Sequence, residues 1–258
     1  MAHDHLAEML DLDAEVLHDH HHEVISWAAS LVPENPLVVD LGAGSGTGTL
    51  ALARAIPGAT VVAVDRDEEM LAHLRQRAGD EPRIRTVAAD LDRPWPDLGP
   101  ADLVWASASM HHLADPAAAM ARIRDVLRPG GVVVITELDS FPRFLTDPAG
   151  AALEERVHAA QADRRHEAGL HMHEDWAALL AAAGFRVLDR RRIDVDLRPP
   201  LPPAAGRYAQ VSLSRVRQGL ADRLSPDDLA ALDAIVPGLT ERDDLRVRAT
   251  RTVVAGRR

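Results

Sequence analysis

The chain has 258 residues, a formal charge of −11 and 47% hydrophobic residues, with no apolar run near the ~20 residues that a membrane-crossing helix needs. That length holds one large domain or two small ones with ample core, and the acidic charge argues against nucleic acid or an anionic membrane as partner. There is no cysteine and all 29 basic residues are arginine, which excludes disulfides, thiolate nucleophiles, iron–sulfur clusters, Cys-type zinc sites, Schiff-base lysines and the Walker-type phosphate lysine.

General acid–base chemistry is left mostly to His, Asp and Glu, so the 13 histidines carry extra weight, and there is a single tyrosine, Tyr208. The first residues have neither the basic nor the apolar region of a signal peptide, and a cytoplasmic protein is expected.

Residues 1–36 read as helical. Leu6, Met9, Leu10, Val16, Leu17, Val24, Ile25, Trp27 and Ala28 recur at helical spacing, and Pro33 and Pro36 end the region. Lying ahead of the first strand, this segment is expected to be an N-terminal helical cap, a candidate lid. Strands are predicted at 37–41, 60–64, 84–88, 101–106 and 132–137, with helices at 48–55, 67–78 and 116–127 between them. Asp115-Pro116 supplies an N-cap acid with proline at the first helical position, and Pro129-Gly130-Gly131 reads as a stop and turn. Alternating α and β with near-continuous apolar strands implies a mostly parallel sheet with helices on both faces. Ligands on such sheets bind beyond the carboxyl ends of the strands.

Asp147-Pro148 opens a helix to about 168, and 175–183 is another, closed by Gly184. A long strand is predicted at 185–197. Pro199, Pro200, Pro202 and Pro203 then form a stiff break, followed by an amphipathic stretch at 208–220, a helix from Ser225 and a closing strand at 245–255. The expected division is a cap at 1–36 and a domain at 37–258 with a helical insertion at about 200–243. Arg190-Arg191-Arg192 and Arg257-Arg258 read as solvated strand ends rather than a phosphate site.

The chemistry centres on Val38-Val39-Asp40-Leu41-Gly42-Ala43-Gly44-Ser45-Gly46-Thr47-Gly48. Glycines let the chain turn sharply and let a ligand approach the backbone, and the helix start offers unpaired N–H groups. The G-x-G-x-x-G/A spacing of dinucleotide sites fails here. Counting from Gly42 or Gly44 puts threonine in the third place, and only Gly46-Thr47-Gly48-Thr49-Leu50-Ala51 fits, inside the expected helix.

The stretch resembles instead the first motif of class I S-adenosylmethionine (SAM) dependent methyltransferases. Further matches follow in order: Val61-Val62-Ala63-Val64-Asp65 with Glu68-Glu69-Met70-Leu71, Ala88-Ala89-Asp90-Leu91, Asp102-Leu103-Val104-Trp105-Ala106-Ser107 with Met110-His111-His112-Leu113, and Leu127-Arg128-Pro129-Gly130-Gly131. The resemblance is strong over 37–138 and weaker beyond, and implies an α/β fold: a Rossmann-like seven-stranded sheet plus helical cap elements. It also implies roles. Asp40 would fix the turn near the methionine part of SAM, with the backbone of Gly42, Ala43, Gly44 and Gly46 against it. Asp65 would accept from the ribose hydroxyls, Arg66 and Met70 would flank the adenine, and Asp90 and Leu91 would bind its polar edge. Ser107 and Ala108 would line the methyl-donor end.

Methyl transfer from a sulfonium is an in-line displacement that needs alignment and, for some acceptors, a base. His111 and His112 follow the fourth strand and are the first candidates for that base; Glu137 follows the fifth. His21, His22, Asp139, His171 and Tyr208 are candidate acceptor contacts. His18, His21 and His22 share a helix face, a spacing that can hold a metal, although a polar surface reads as well. The expected protein transfers a methyl group from SAM to a small-molecule acceptor, without nucleic acid or membrane, as a monomer or homodimer. Its arginine-for-lysine bias suits a GC-rich, actinobacterial-looking genome and a role in secondary metabolism. A metal-assisted methyltransferase, a SAM-binding protein without methyl transfer and an NAD-dependent oxidoreductase remain as alternatives.

Overall fold

The computed structural model describes residues 2–258. Strands β1 (Leu37–Leu41), β2 (Thr60–Asp65), β3 (Ile84–Ala88), β4 (Ala101–Ser107), β5 (Leu127–Leu138), β6 (Arg186–Leu197) and β7 (Val247–Arg257) form one sheet in the order β3-β2-β1-β4-β5-β7-β6. β1 to β5 pair in parallel, and β7 runs antiparallel to β5. The helices are α1 (Ala2–Val16), α2 (His18–Ala29), α3 (Thr47–Ala55), α4 (Glu68–Ala78), α5 (Pro116–Val126), α6 (Pro148–Glu167), α7 (Trp176–Ala182), α8 (Ala205–Gly219) and α9 (Pro226–Ile235).

The chain forms two compact units. One contains Asp19–Leu138, Leu170–Ile193 and Arg251–Arg258; the other contains the residues up to His18, Asp139–Gly169 and Asp194–Thr250. In the first, parallel strands in register send the residues of each rung to the same face. Val39, Leu41, Val62, Val64, Val104 and Ala106 pack with Ala119, Met120 and Ile123 of α5 and Leu180 of α7. Val38, Val61, Leu103 and Trp105 take the opposite face with Leu52 and Ala53 of α3 and Val24, Ile25 and Ala28 of α2. Both faces are covered, which is why these strands read as unbroken apolar runs. β6 closes the sheet edge with alternating charged residues, Arg190, Arg192, Asp194 and Asp196, which discourage further strand pairing.

The second unit has its own core, in which Leu153 and Val157 of α6, Tyr208 and Leu213 of α8 and Leu232 of α9 pack with Phe144 and Leu145. Helix starts in both units are capped: Asp67, Asp115, Asp147, Asp175 and Ser225 each accept a backbone N–H of the following turn.

Two expectations change. The 1–36 region is not one cap: α1 belongs with the second unit, whereas Val24, Ile25 and Ala28 of α2 bury against the sheet. Helical periodicity shows that a segment has an apolar face, not which surface receives it. Likewise, Pro129-Gly130-Gly131 does not stop before the strand. Ala101 pairs with Leu127 and Leu103 with Val132, so 128–131 bulge out of the ladder inside β5. Gly130 takes φ 81° and donates to the carbonyl of Arg258 at 3.2 Å, a partner from the far end of the chain. No helix among the described residues is long and apolar enough to cross a membrane.

Ile123 is fully buried between α5 and the sheet. Ile123→Ala should cost about 2–5 kcal/mol, read as a lowered midpoint in urea with an unchanged slope.

Candidate active site

The carboxyl ends of β1, β2, β4 and β5 carry the polar residues of the first unit. Asp40 pairs with Ala63 on one side and Trp105 on the other, so it points to the face covered by α3. It is 2% exposed, and its Oδ2 accepts the Thr49 hydroxyl at 2.6 Å. Burial pushes its carboxyl up to about 7, with the nearby Asp65 adding to the rise and the Thr49 bond opposing it.

The chain then turns through Gly42, Gly44 and Gly46 at φ 72°, 52° and 83°. Two of these positions have no room for a side chain. A Cβ on Gly42 would lie 2.4 Å from Cβ of Ser109, and one on Gly46 would lie 2.2 Å from Cδ1 of Leu74. The N–H groups of Gly42 and Ala43 both donate to the Val64 carbonyl, at 2.8 and 3.0 Å, which extends the β1–β2 ladder into the turn. Gly46 is the N-cap of α3 and has no side chain to cap it; the Asp40 carboxylate accepts from the backbone N–H of Thr49, in the first turn, as well as from its hydroxyl. A Cβ on Gly48 would sit 3.1 Å from Nε1 of Trp105 and 3.3 Å from Oδ2 of Asp40. That indole nitrogen is buried with no hydrogen-bond partner among the described residues. Backbone left bare by glycine and a desolvated acid with no cation beside it among the described residues suit a zwitterionic ligand such as the methionine part of SAM.

Asp65 ends β2 half-buried. Its Oδ2 accepts from Gly44 N at 2.8 Å and its Oδ1 from Asp67 N at 2.9 Å. Each carboxylate oxygen retains a second lone pair for a ribose hydroxyl. Arg66 is exposed, and Met70 is buried on the inner side of α4. Asp90 closes its own turn by accepting from Asp92 N at 2.9 Å; Leu91 is buried, its carbonyl taken by Trp95 Nε1 and Arg122 Nη1 at 2.9 and 2.8 Å.

β4 and β5 bring the base candidates together. Ser107 pairs with Thr136, and Ala108, at φ 52°, donates to the Thr136 carbonyl at 2.7 Å. A 3-10 turn at Met110–His112 follows, opened by Ser109, whose hydroxyl donates to the Leu41 carbonyl at 2.7 Å. Glu137 reaches into this turn. Its Oε1 accepts from Met110 N at 2.7 Å and His111 N at 3.3 Å, and its Oε2 lies 2.6 Å from His111 Nδ1. Both side chains are nearly fully buried. With Nδ1 engaged by Glu137, Nε2 is the ring nitrogen of His111 left for another partner. His112 is exposed, its ring 4.1 Å from that of His111. The His111 carbonyl accepts from His171 N at 3.0 Å, and the His171 ring pairs with Glu174 at 2.8 Å.

The other candidates make none of these hydrogen bonds. His21 is half-buried and His22 exposed on α2; His18 falls in the other unit. Among the described residues, no group of three or more His, Cys, Asp or Glu is arranged to hold a metal ion. Asp139 and Tyr208 belong to the second unit. Tyr208, expected as an acceptor contact, is a buried core residue there, packed edge-on to Phe144 at 5.2 Å with its hydroxyl on Asp13. Sequence reading missed Thr49, Trp105 and Ser109 as parts of the site. The pairing of Asp40 with Trp105 and the packing of Ser109 on Gly42 depend on strand register, which no local pattern prints.

Residues 39–135 match the family model described as a methyltransferase domain. With that match, the sheet order and the ordered acids on the strand ends, the chain belongs to the SAM-dependent methyltransferases. Among individual proteins, it is 31% identical over 210 residues to the trans-aconitate 2-methyltransferase of Acidovorax sp. (strain JS42), covering 80% of this chain and 76% of that one. It is 39% identical over 118 residues to the trans-aconitate 2-methyltransferase of Azoarcus sp. (strain BH72), where the match spans 46% of this chain and 44% of the relative. The YcgJ protein of Bacillus subtilis has the same fold, with a TM-score of 0.58 at 18% identity over 93% of this chain and 98% of that one.

Folded Asp40 holds its proton up to about pH 7, whereas the unfolded side chain releases it near 3.8. Across that window the native state binds more protons, so this group lowers stability as pH rises. Asp40→Asn keeps an acceptor for Thr49 and cannot ionise. Urea midpoints from pH 4 to 8 should therefore move in favour of the variant as pH rises, while its affinity for S-adenosylhomocysteine drops.

Proposed function

We propose that the protein methylates a small carboxylic acid, with SAM as donor and His111, oriented by Glu137, as the acceptor-side base. The 2.6 Å contact between His111 Nδ1 and Glu137 Oε2, buried at the carboxyl edge of the sheet, carries this reading. Bound SAM supplies a methyl group on a sulfonium, and its transfer leaves the electron pair on sulfur, giving S-adenosylhomocysteine. Glu137 fixes the His111 tautomer through Nδ1 and the ring's position through two backbone N–H groups, which leaves Nε2 to take a proton from an acceptor carboxyl group. That step matters because a water-poor site raises the pKa of an entering carboxylic acid, and only the carboxylate oxygen is a good nucleophile. Asp40 meets the cationic amino group of the donor, an interaction that would ionise this buried acid. Asp65 and Asp90 take the ribose and the adenine amino group, with the bare backbone of 42–46 beneath. The two relatives named for trans-aconitate make a polycarboxylic acid the first acceptor to test. A place in secondary metabolism rests on composition alone.

Incubation with SAM and trans-aconitate should release S-adenosylhomocysteine. Its absence with a panel of carboxylic acids would sink the acceptor class. His111→Ala should lower kcat by about 10²-fold or more while leaving the dissociation constant for S-adenosylhomocysteine nearly unchanged. Glu137→Gln should lower kcat less, because the amide still accepts from backbone N–H groups. In thermal melts, S-adenosylhomocysteine should raise Tm and NAD should not; the reverse pattern would return the dinucleotide reading.

A further inference from the structure

α6 carries an unusual face in the second unit. Glu154, His158, Gln161 and Arg165 recur at spacings of four, three and four, so they line one side of the helix. That side is turned inward, against the segment that follows β5. Glu154 accepts from the backbone N–H groups of Phe144 and Leu145 at 2.6 and 3.2 Å, which disposes of its charge. Nearer the helix C-terminus the polar groups are not paired off. Arg165 lies flat on the ring of Phe141, its Cζ 3.4 Å from the ring centre, and its Nη1 is buried without a hydrogen-bond partner among the described residues. Gln161 is 7% exposed, and its Oε1 is likewise buried and unpaired among them. The ring of His158 meets the same phenylalanine edge-on at 6.5 Å.

Other arginines of this unit behave differently. Arg156, Arg217 and Arg223 are bonded to Asp228, Asp233 and Glu167. Burial pulls the Arg165 guanidinium down to about 10, with Arg164 contributing, and burial first, then Arg143, holds His158 neutral down to about 4. No carboxylate among the described residues offsets the charge of Arg165. A phenylalanine face covers one side of a guanidinium and leaves its N–H edge for a planar, bidentate partner. Gln161 can present its oxygen or, turned over, its NH2 group. His158 adds a neutral ring.

We infer that Arg165 and Gln161, with Phe141 as the platform, form a binding site for a carboxylate of a small-molecule ligand. Phe141 stands four residues beyond Glu137 along the chain. The ligand class, a carboxylic acid, is the one named in the function proposed above and rests on that reading.

Calorimetric titration of the full chain without SAM, using trans-aconitate and its uncharged trimethyl ester, tests the site. The acid should bind and the ester should not. Arg165→Met should weaken the acid at least tenfold, Arg165→Lys less, and Gln161→Leu several-fold, with melting curves showing that each variant folds. The inference falls if the wild type binds no acid from a panel of di- and tricarboxylates, or if folded Arg165→Met binds as the wild type does. Turnover separates this site from the proposed reaction. Arg165-dependent binding without release of S-adenosylhomocysteine upholds the site and overturns the proposed reaction. Turnover by the wild type, with binding of the acid unchanged in folded Arg165→Met, overturns the site and leaves the reaction standing.

Discussion

No side chain fits at position 42. The turn after β1 takes φ 72° there, and Ser109 occupies the space where a Cβ would project. Everything at the carboxyl edge of the sheet follows from that close approach. Because Ser109 seats against bare backbone and bonds the Leu41 carbonyl, the 3-10 turn after β4 is drawn in beside the glycines. That turn then offers the N–H groups of Met110 and His111 to Glu137 at the end of the neighbouring strand. One glycine thereby couples the turn after β1 to the buried His111–Glu137 pair.

Buried polar groups define the rest of the molecule's chemistry, and they fall into two kinds. Glu137 and Glu154 are satisfied: the first takes three backbone N–H groups and the second two, so burial of the carboxylate is offset by directed bonds. Asp40, Trp105 and Arg165 are not balanced in the same way. Among the described residues, Asp40 is desolvated with no cation beside it, the Trp105 Nε1 donor has no partner, and Arg165 is stacked on Phe141 with its Nη1 unpaired. Groups of the first kind hold the fold. Those of the second kind are costly unless something else completes them, and their positions are where ligands are to be sought.

Local chemistry makes much of this legible in the sequence. Strand bounds at 37–41 and 84–88 match the structure, and Asp115 and Asp147, each followed by proline, cap their helices as their positions suggest. Caps, proline and glycine act within three or four residues, so a reader of the sequence holds all the relevant atoms. The glycine turn with acids closing the first two strands is legible for the same reason, and with it the donor. Partnerships across the chain are a different matter. His111 and Glu137 are 26 residues apart and meet only because Ser107 pairs with Thr136 in the β4–β5 register. Tyr208 looked like a ligand contact because it was the lone tyrosine, yet its ring fills a core with Phe144. Nothing in the sequence of α6 marks an inner polar face, since Glu154, His158, Gln161 and Arg165 are ordinary surface residue types. What turns that face inward is the chain beyond β5 lying along it, from Phe141 to Leu145. The sequence by itself determined the elements, the glycine turn and the donor, because each is encoded over a few adjacent residues. Only the tertiary structure decided which polar groups pair and which stay open, because burial and register are set by segments far apart in the chain.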